Sequence, residues 1–147
     1  MSPARVIATW FGCGLSPVAP GTVGTLGALP LAYGLHALGG LAYWAGTVLV
    51  ALGGIWASER TARELDEKDP QSVVIDEVAG TLIAVGLAAP GGFWACFFAV
   101  FLFRLLDIKK PGSIDAVQHL KPWGLGIMAD DLLAGAIAGI VARFVAP

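Results

Sequence analysis

Apolar residues run in long blocks along this chain, and the polar ones gather between them. After Arg5 no charged residue occurs until Glu59. A dense charged run then extends to Glu77, residues 78–103 carry no charge, a second cluster spans Arg104 to Asp131, and the tail is apolar apart from Arg143. A helix on a soluble protein carries charge along its outward face. Here whole stretches lack a polar face, which is the pattern of bilayer segments. Glycine and proline subdivide them. Gly39-Gly40 splits the first block into predicted helices over 24–38 and 41–57, and Pro90-Gly91-Gly92 splits the second into 74–89 and 93–106. A fifth helix is predicted over 131–145. Each is at or below the ~20 residues of a full span, so tilted or thin packing is expected.

Two hairpins with uncharged tips follow from this division. The tips at Gly39-Gly40 and Pro90-Gly91-Gly92 fall on one side. Segments 59–77 and 104–131 fall on the other with Arg5, carrying eight of the nine Lys and Arg residues, all but Arg143. The excess of positive charge makes that side cytoplasmic. The alternative, one unbroken span over 78–103, is disfavoured because Pro-Gly-Gly at the centre of a helix is costly. No internal repeat is present. The stretch 59–72 reads as a helix end and a polar loop whose charges form a solvated face.

Composition agrees with a membrane assignment. The chain has 147 residues, suited to a single domain over 1–147, and is 56% hydrophobic but only 14% charged, against about 25% in ordinary globular domains. Its mean hydropathy is +0.76. The net charge of −2 gives no footprint for nucleic acid. Cys13 and Cys96 lack metal or redox spacing and read as reduced thiols. The N-terminus lacks the apolar core and cleavage site of a signal peptide, so the helices themselves are expected to place the chain in the bilayer. Trp10, Trp44, Trp56, Trp94 and Trp123 fit interfacial belts. The expected fold is all-α, a compact polytopic bundle of four to five short helices with its site at the cytoplasmic membrane face.

Three clusters carry candidate chemistry. Residues 12–25 (GCGLSPVAPGTVGT) precede the first apolar helix. The amides of Gly21, Thr22 and Gly24 and the hydroxyls of Thr22 and Thr25 sit at a helix N-terminus that favours phosphate; Thr22 also reads simply as an N-cap. No lysine follows the glycines, so this is not a P-loop. Asp76-Glu77 open the next charged-to-apolar helix, where acids suit the dipole but also border the bilayer, where ionisable groups are often functional. Gly80, one turn on, leaves room for close backbone approach. Arg104 and Asp107 share a helix face at i, i+3, with Lys110 and Pro111 beyond, and Asp130-Asp131 open the last helix. Structural ion pairs and dipole-stabilising acids are the alternative readings. Under the two-hairpin topology all these groups emerge on one membrane face. Clustered carboxylates without His or Cys are hard oxygen ligands suited to Mg²⁺, and Mg²⁺ bridged to phosphate is the arrangement of phosphoryl chemistry. His36 reads as a packed or hydrogen-bonded histidine in an apolar helix. His119, in the cytoplasmic loop, reads as a bystander, with phosphate contact the lesser alternative. No Cys-x5-Arg occurs: Ala19 and Leu102 stand six residues after Cys13 and Cys96.

The same residues carry a family resemblance. GCGLSPVAPGTVGTLGALP (12–30), SVVIDEVAGT (72–81), FRLLDIKKPGSI (103–114) and GLGIMADDLLAGAIAG (124–139) resemble, in order, the phosphatidylglycerophosphatase A family. The resemblance implies a bacterial, Mg²⁺-dependent, multi-pass enzyme of the cytoplasmic (inner) membrane. It would hydrolyse phosphatidylglycerophosphate to phosphatidylglycerol and phosphate, with the acyl chains in the lipid bilayer and the headgroup presented at the interface. It places Asp76, Glu77, Asp107, Asp130 and Asp131 on the family's acidic positions, with Asp76, Glu77, Asp130 and Asp131 as metal ligands. Pro20, Gly21, Thr22, Gly24, Thr25, Arg104, Lys110 and Pro111 fall on its other signature positions, with Gly21, Thr22, Thr25, Arg104 and Lys110 at the phosphate. Asp107 would be a further ligand or the base that activates water, and an aspartyl-phosphate intermediate is the alternative to direct attack by water. Gly112 departs from the aromatic often found after Lys-Pro. Two rival classes are a small transporter using the same acids as an ion path, which acids midway along helices would favour, and a soluble helical phosphatase of the same superfamily. Oligomeric state is not legible in the sequence.

Overall fold

The computed structural model describes residues 1–145, which contain seven α-helices and no strand. Helix α1 (Pro3–Ala8) is capped by the Ser2 hydroxyl, which accepts from the Arg5 amide. Helix α2 (Pro20–Ala37) begins on Pro20, whose fixed φ suits a first helical position. It therefore starts one turn earlier than the predicted 24–38. Gly21 and Thr22 lie inside its first turn, and the capping position falls to Ala19, not Thr22. Helix α3 (Gly40–Leu65) runs eight residues past 57, because the charged stretch ERTAREL is rich in good helix formers. Helices α4 (Ile75–Ala88) and α5 (Gly92–Lys109) match expectation closely. After the short α6 (Ser113–Val117), α7 (Trp123–Val145) starts eight residues before the predicted 131.

The early start of α7 has a packing cause. Gly124 and Gly126 suggest a loop, but both are contact positions: a Cβ on Gly124 would lie 2.2 Å from the Ile55 carbonyl oxygen, and one on Gly126 2.4 Å from that of Gln118. Glu59 Oε2 accepts the Gly124 amide at 2.7 Å. A carboxylate from another helix thus satisfies one of the orphan amides of α7. Glu59 is accordingly structural, not part of a solvated face.

Contacts fix the direction of every long helix. Gly80 meets Phe103, Cys96 Sγ reaches the Val85 carbonyl at 3.9 Å, and Glu77 lies 3.8 Å from Arg104. Helices α4 and α5 therefore form an antiparallel hairpin, turning at Gly92 with φ 84°. Gly46 against Leu35 makes α2 and α3 a second hairpin around Gly39, φ 102°. Gly135 on the Gly80 carbonyl and Gly139 on the Ala84 carbonyl make α4 and α7 parallel at a constant offset of 55 residues. The hairpin topology replaces the unbroken 78–103 span.

Among the described residues three stretches are long and apolar enough to cross a membrane: Gly40–Leu65, Ile75–Lys109 and Trp123–Val145. The second is folded back at Gly92. Helix α7 is the central one, with 56% of its apolar window buried against 22% and 17% for the other two. Outward faces are apolar at helical spacing: Leu41, Trp44, Val48, Leu52 and Trp56 on α3, and Phe93, Trp94, Phe97 and Phe101 on α5, are exposed. A continuous apolar exterior of this kind is a lipid-facing surface. Trp10 is half-buried and donates from Nε1 to the Gly27 carbonyl at 3.1 Å. His36, expected to be packed or hydrogen-bonded, is exposed near the end of α2, its ring 6.3 Å from that of Tyr43. Cys13 and Cys96 are free thiols.

Candidate active site

The first turn of α4 presents Asp76 and Glu77, where the helix dipole favours negative charge. The 55-residue offset between α4 and α7 sets Asp131 beside Asp76. Only glycine permits that approach: a Cβ on Gly80 would lie 2.8 Å from the Asp131 carbonyl oxygen, and one on Gly135 2.3 Å from that of Gly80. The result is a group of three carboxylates, Asp76, Glu77 and Asp131, each offering an oxygen within 4.8 Å of the others. Asp76 Oδ1, Glu77 Oε2 and Asp131 Oδ2 are buried and have no hydrogen-bond partner among the described residues. Buried carboxylate oxygens without donors are costly, and like charges at this separation repel. A cation would relieve both, so these residues fit a metal ion. The donor set is all oxygen, which selects a hard divalent cation over zinc or copper.

Cations flank the group. Arg104, on the last turns of α5, pairs with Asp107 Oδ2 at 2.5 Å and lies 3.8 Å from Glu77 Oε1. Lys110 ends α5 in the left-handed region at φ 42° and its ammonium binds Asp130 Oδ2 at 2.5 Å. Burial opposes the Lys110 charge, but the Asp130 hydrogen bond and the charges of Asp130, Asp131 and Asp69 outweigh it and hold its pKa above the usual lysine range. The other oxygen of Asp130 accepts the Asp131 amide at 3.0 Å. Asp130 thus adjoins the three-carboxylate group but is engaged by Lys110.

The start of α2 closes one side. A Cβ on Gly21 would lie 2.3 Å from Glu77 Oε1 and 3.1 Å from an Arg104 nitrogen. Thr25 is buried with its hydroxyl unpartnered, whereas Thr22 is exposed. Every predicted site residue therefore lies at one end of the bundle, although the pairings differ from a single undivided cluster. Asp130 and Asp131 lie inside α7, about two turns from its start, rather than at its opening.

Beside the group lies a cleft of about 120 Å³. Asp76, Asp130 and Lys110 line it, and so do Lys68, Asp69, His119 and Trp123. Lys68 Nζ and His119 Nδ1 are 3.4 Å apart across 51 residues of sequence. Nothing in the local pattern marks Lys68, and His119 reads from sequence as a bystander with phosphate contact only the lesser alternative. The signal that pairs them is that the hairpin topology puts loops 66–74 and 118–122 at the same end as the acids.

The phosphatidylglycerophosphatase A family model matches residues 6–146. The chain is 36% identical over 148 residues to phosphatidylglycerophosphatase A of Escherichia coli, covering 98% of this chain and 84% of that protein. It is 36% identical to phosphatidylglycerophosphatase A of Haemophilus influenzae, covering 96% and 87%. It is also 39% identical to a Bacteroides thetaiotaomicron protein provisionally named phosphatidylinositol-3-phosphatase, covering 95% and 93%. No solved structure matches. With the family's pattern running through nearly its whole length, this chain belongs to the phosphatidylglycerophosphatase A family.

Proposed function

We propose that the chain hydrolyses the terminal phosphomonoester of phosphatidylglycerophosphate, releasing phosphatidylglycerol and inorganic phosphate, with Mg²⁺ at the carboxylate group. The observation that carries this is the convergence of three buried, unpartnered carboxylate oxygens beside a guanidinium at one end of an apolar bundle. Family membership and the names of the two relatives support the reaction.

Asp76, Glu77 and Asp131 would hold the metal, with Asp130 adjoining them. When bound, Mg²⁺ offsets charge that develops on the phosphoryl oxygens and activates water. Arg104 binds the phosphate, and Asp107 fixes the plane of its guanidinium. The first-turn amides of α2 at Gly21 and Thr22 are orphan donors suited to a phosphate oxygen, and the Thr25 hydroxyl lies one turn on. Asp107 would also serve as the base that accepts a proton from water. Lys110, held by Asp130, would supply a further positive charge to the phosphate. The water oxygen bonds to phosphorus, the bond to the glycerol oxygen breaks, and a proton reaches that oxygen. The acyl chains remain in lipid beside the exposed apolar faces while the headgroup enters the cleft. The end of the bundle rich in Lys and Arg faces the cytoplasm of a bacterial inner membrane.

The Bacteroides relative's name favours a second substrate of the same class, a phosphoinositide monophosphate. Both lipids join a phosphomonoester to a phosphodiester. Purified protein in detergent, given each lipid separately with Mg²⁺, tests the choice. Faster phosphate release from phosphatidylglycerophosphate supports the proposal; preference for phosphatidylinositol 3-phosphate replaces it with the second reading.

A further inference from the structure

Both candidate lipids carry a second anion, the phosphodiester that joins the headgroup to diacylglycerol, and the carboxylate group offers it nothing. We infer that Lys68 and His119 form a separate subsite that binds this phosphodiester and so selects phosphomonoesters attached to a glycerophospholipid. The inference rests on the proposed lipid phosphatase reading and adds residues that reading does not use.

The geometry is specific. Lys68 follows α3 and His119 follows α6, yet the two side chains meet at 3.4 Å on the wall of the cleft whose other lining includes Asp76, Asp130 and Lys110. An ammonium only donates, so in this contact His119 Nδ1 accepts and the ring proton lies on Nε2. His119 Nε2–H and two further Lys68 N–H groups then remain as donors. Lys110 is already engaged by Asp130, and Arg104, which the proposed reaction assigns to the terminal phosphate, does not line this cleft. Among the described residues Lys68 forms no ion pair, although Asp69 also lines the cleft. Among the described residues Lys68 and His119 are thus paired donors of this cleft that no carboxylate engages, with the Trp123 indole N–H beside them on the same lining. Asp69 disfavours a multiply charged ligand at this wall and suits a singly charged phosphodiester better than a free phosphate dianion. Trp123, half-buried on the same wall, gives the glycerol backbone an apolar surface.

The experiment uses the full chain in a neutral detergent with Mg²⁺, as wild type, Lys68→Met, His119→Ala and Lys68→Arg. Three quantities are read: KM and kcat for phosphatidylglycerophosphate, inhibition by short-chain phosphatidylglycerol, and inhibition by inorganic phosphate. Lys68→Met is expected to raise KM and the short-chain phosphatidylglycerol inhibition constant by about tenfold. kcat and phosphate inhibition should stay within about twofold, and Lys68→Arg should restore binding. His119→Ala should act in the same direction more weakly. An unchanged KM, a fall in kcat alone, or equal weakening of phosphate and phosphatidylglycerol would overturn the subsite. Calorimetric binding of short-chain phosphatidylglycerol needs no turnover. A wild type that binds it more tightly than Lys68→Met but releases no phosphate keeps the subsite and sinks the proposed reaction, whereas equal binding by the two sinks the subsite.

Discussion

Arg104 is the side chain whose chemistry is most constrained by its neighbours. It bonds Asp107 at 2.5 Å, lies 3.8 Å from Glu77, and faces the start of α2 at Gly21. A planar fork can hold a carboxylate with one edge and a phosphate oxygen with the other, which a lysine cannot. Arg104→Lys is expected to keep the fold and lose about 100-fold in kcat, read by phosphate release at saturating substrate with helicity checked by circular dichroism. Near-wild-type turnover would remove Arg104 from the phosphate. At this scale much was legible in the sequence. Asp76, Glu77 and Asp131 stood out because ionisable groups at the edge of apolar stretches need a reason to be there. Lys68 and Glu59 did not, and His119 stood out only as a bystander with phosphate contact the lesser alternative. Each lies in a charged or polar loop-like stretch, and its partner comes from 51 or 65 residues away. No local pattern encodes such a pairing.

Helix–helix contact through glycine sets the geometry of the acids. The α4–α7 pair runs parallel with Gly135 seated on the Gly80 carbonyl, and the same register carries Asp76 alongside Asp131. Gly135→Val should lower stability by about 1–3 kcal/mol through overpacking. It should also weaken metal binding, because the helices must separate. Gly34→Ala, where an added Cβ meets nothing within 4 Å, is the matched control and should leave the thermal midpoint unchanged or raise it. Glu59→Ala removes the acceptor of the Gly124 amide and the Arg63 pair. It should cost about 1–2 kcal/mol, seen as a lower thermal midpoint in detergent. The two hairpins were legible from Gly39-Gly40 and Pro90-Gly91-Gly92, since uncharged Gly and Pro between apolar runs have few other uses. The starts of α2 and α7 were not. Pro20-Gly21 and Gly124-Leu125-Gly126 have loop composition, and only packing against Glu77, Ile55 and Gln118 shows why those glycines are helical. The shift matters for function, because it moves Asp130 and Asp131 from the mouth of α7 into its body. They remain level with the first turn of α4 and the last turns of α5, so the acids form one group at one end and not a path along the bundle.

The molecule as a whole is an apolar bundle with its chemistry at one end. The apolar exterior of α3 and α5 requires lipid or detergent, and alkaline carbonate should leave the chain in the membrane pellet. Orientation is testable in the same preparation. The exposed residue Glu67 lies at the site end and Pro90 at the opposite tip. Glu67→Cys should react with a membrane-impermeant thiol reagent only after permeabilisation of spheroplasts, and Pro90→Cys in intact spheroplasts; the reverse pattern would turn the site outward. The positive charges that predict this orientation were plain in the sequence, whereas the cleft between loops 66–74 and 118–122 emerged only from folding. The central claim is that Asp76, Glu77 and Asp131 make a cation site at which a lipid phosphomonoester is hydrolysed. Its most direct test is phosphate release from phosphatidylglycerophosphate by purified wild type and Asp131→Asn, with Mg²⁺ and then with excess EDTA. Release that depends on Mg²⁺, stops with EDTA, returns on adding Mg²⁺ and is abolished in a folded Asp131→Asn protein is the predicted result. Release that survives EDTA, or an Asp131→Asn protein as active as wild type, would contradict it.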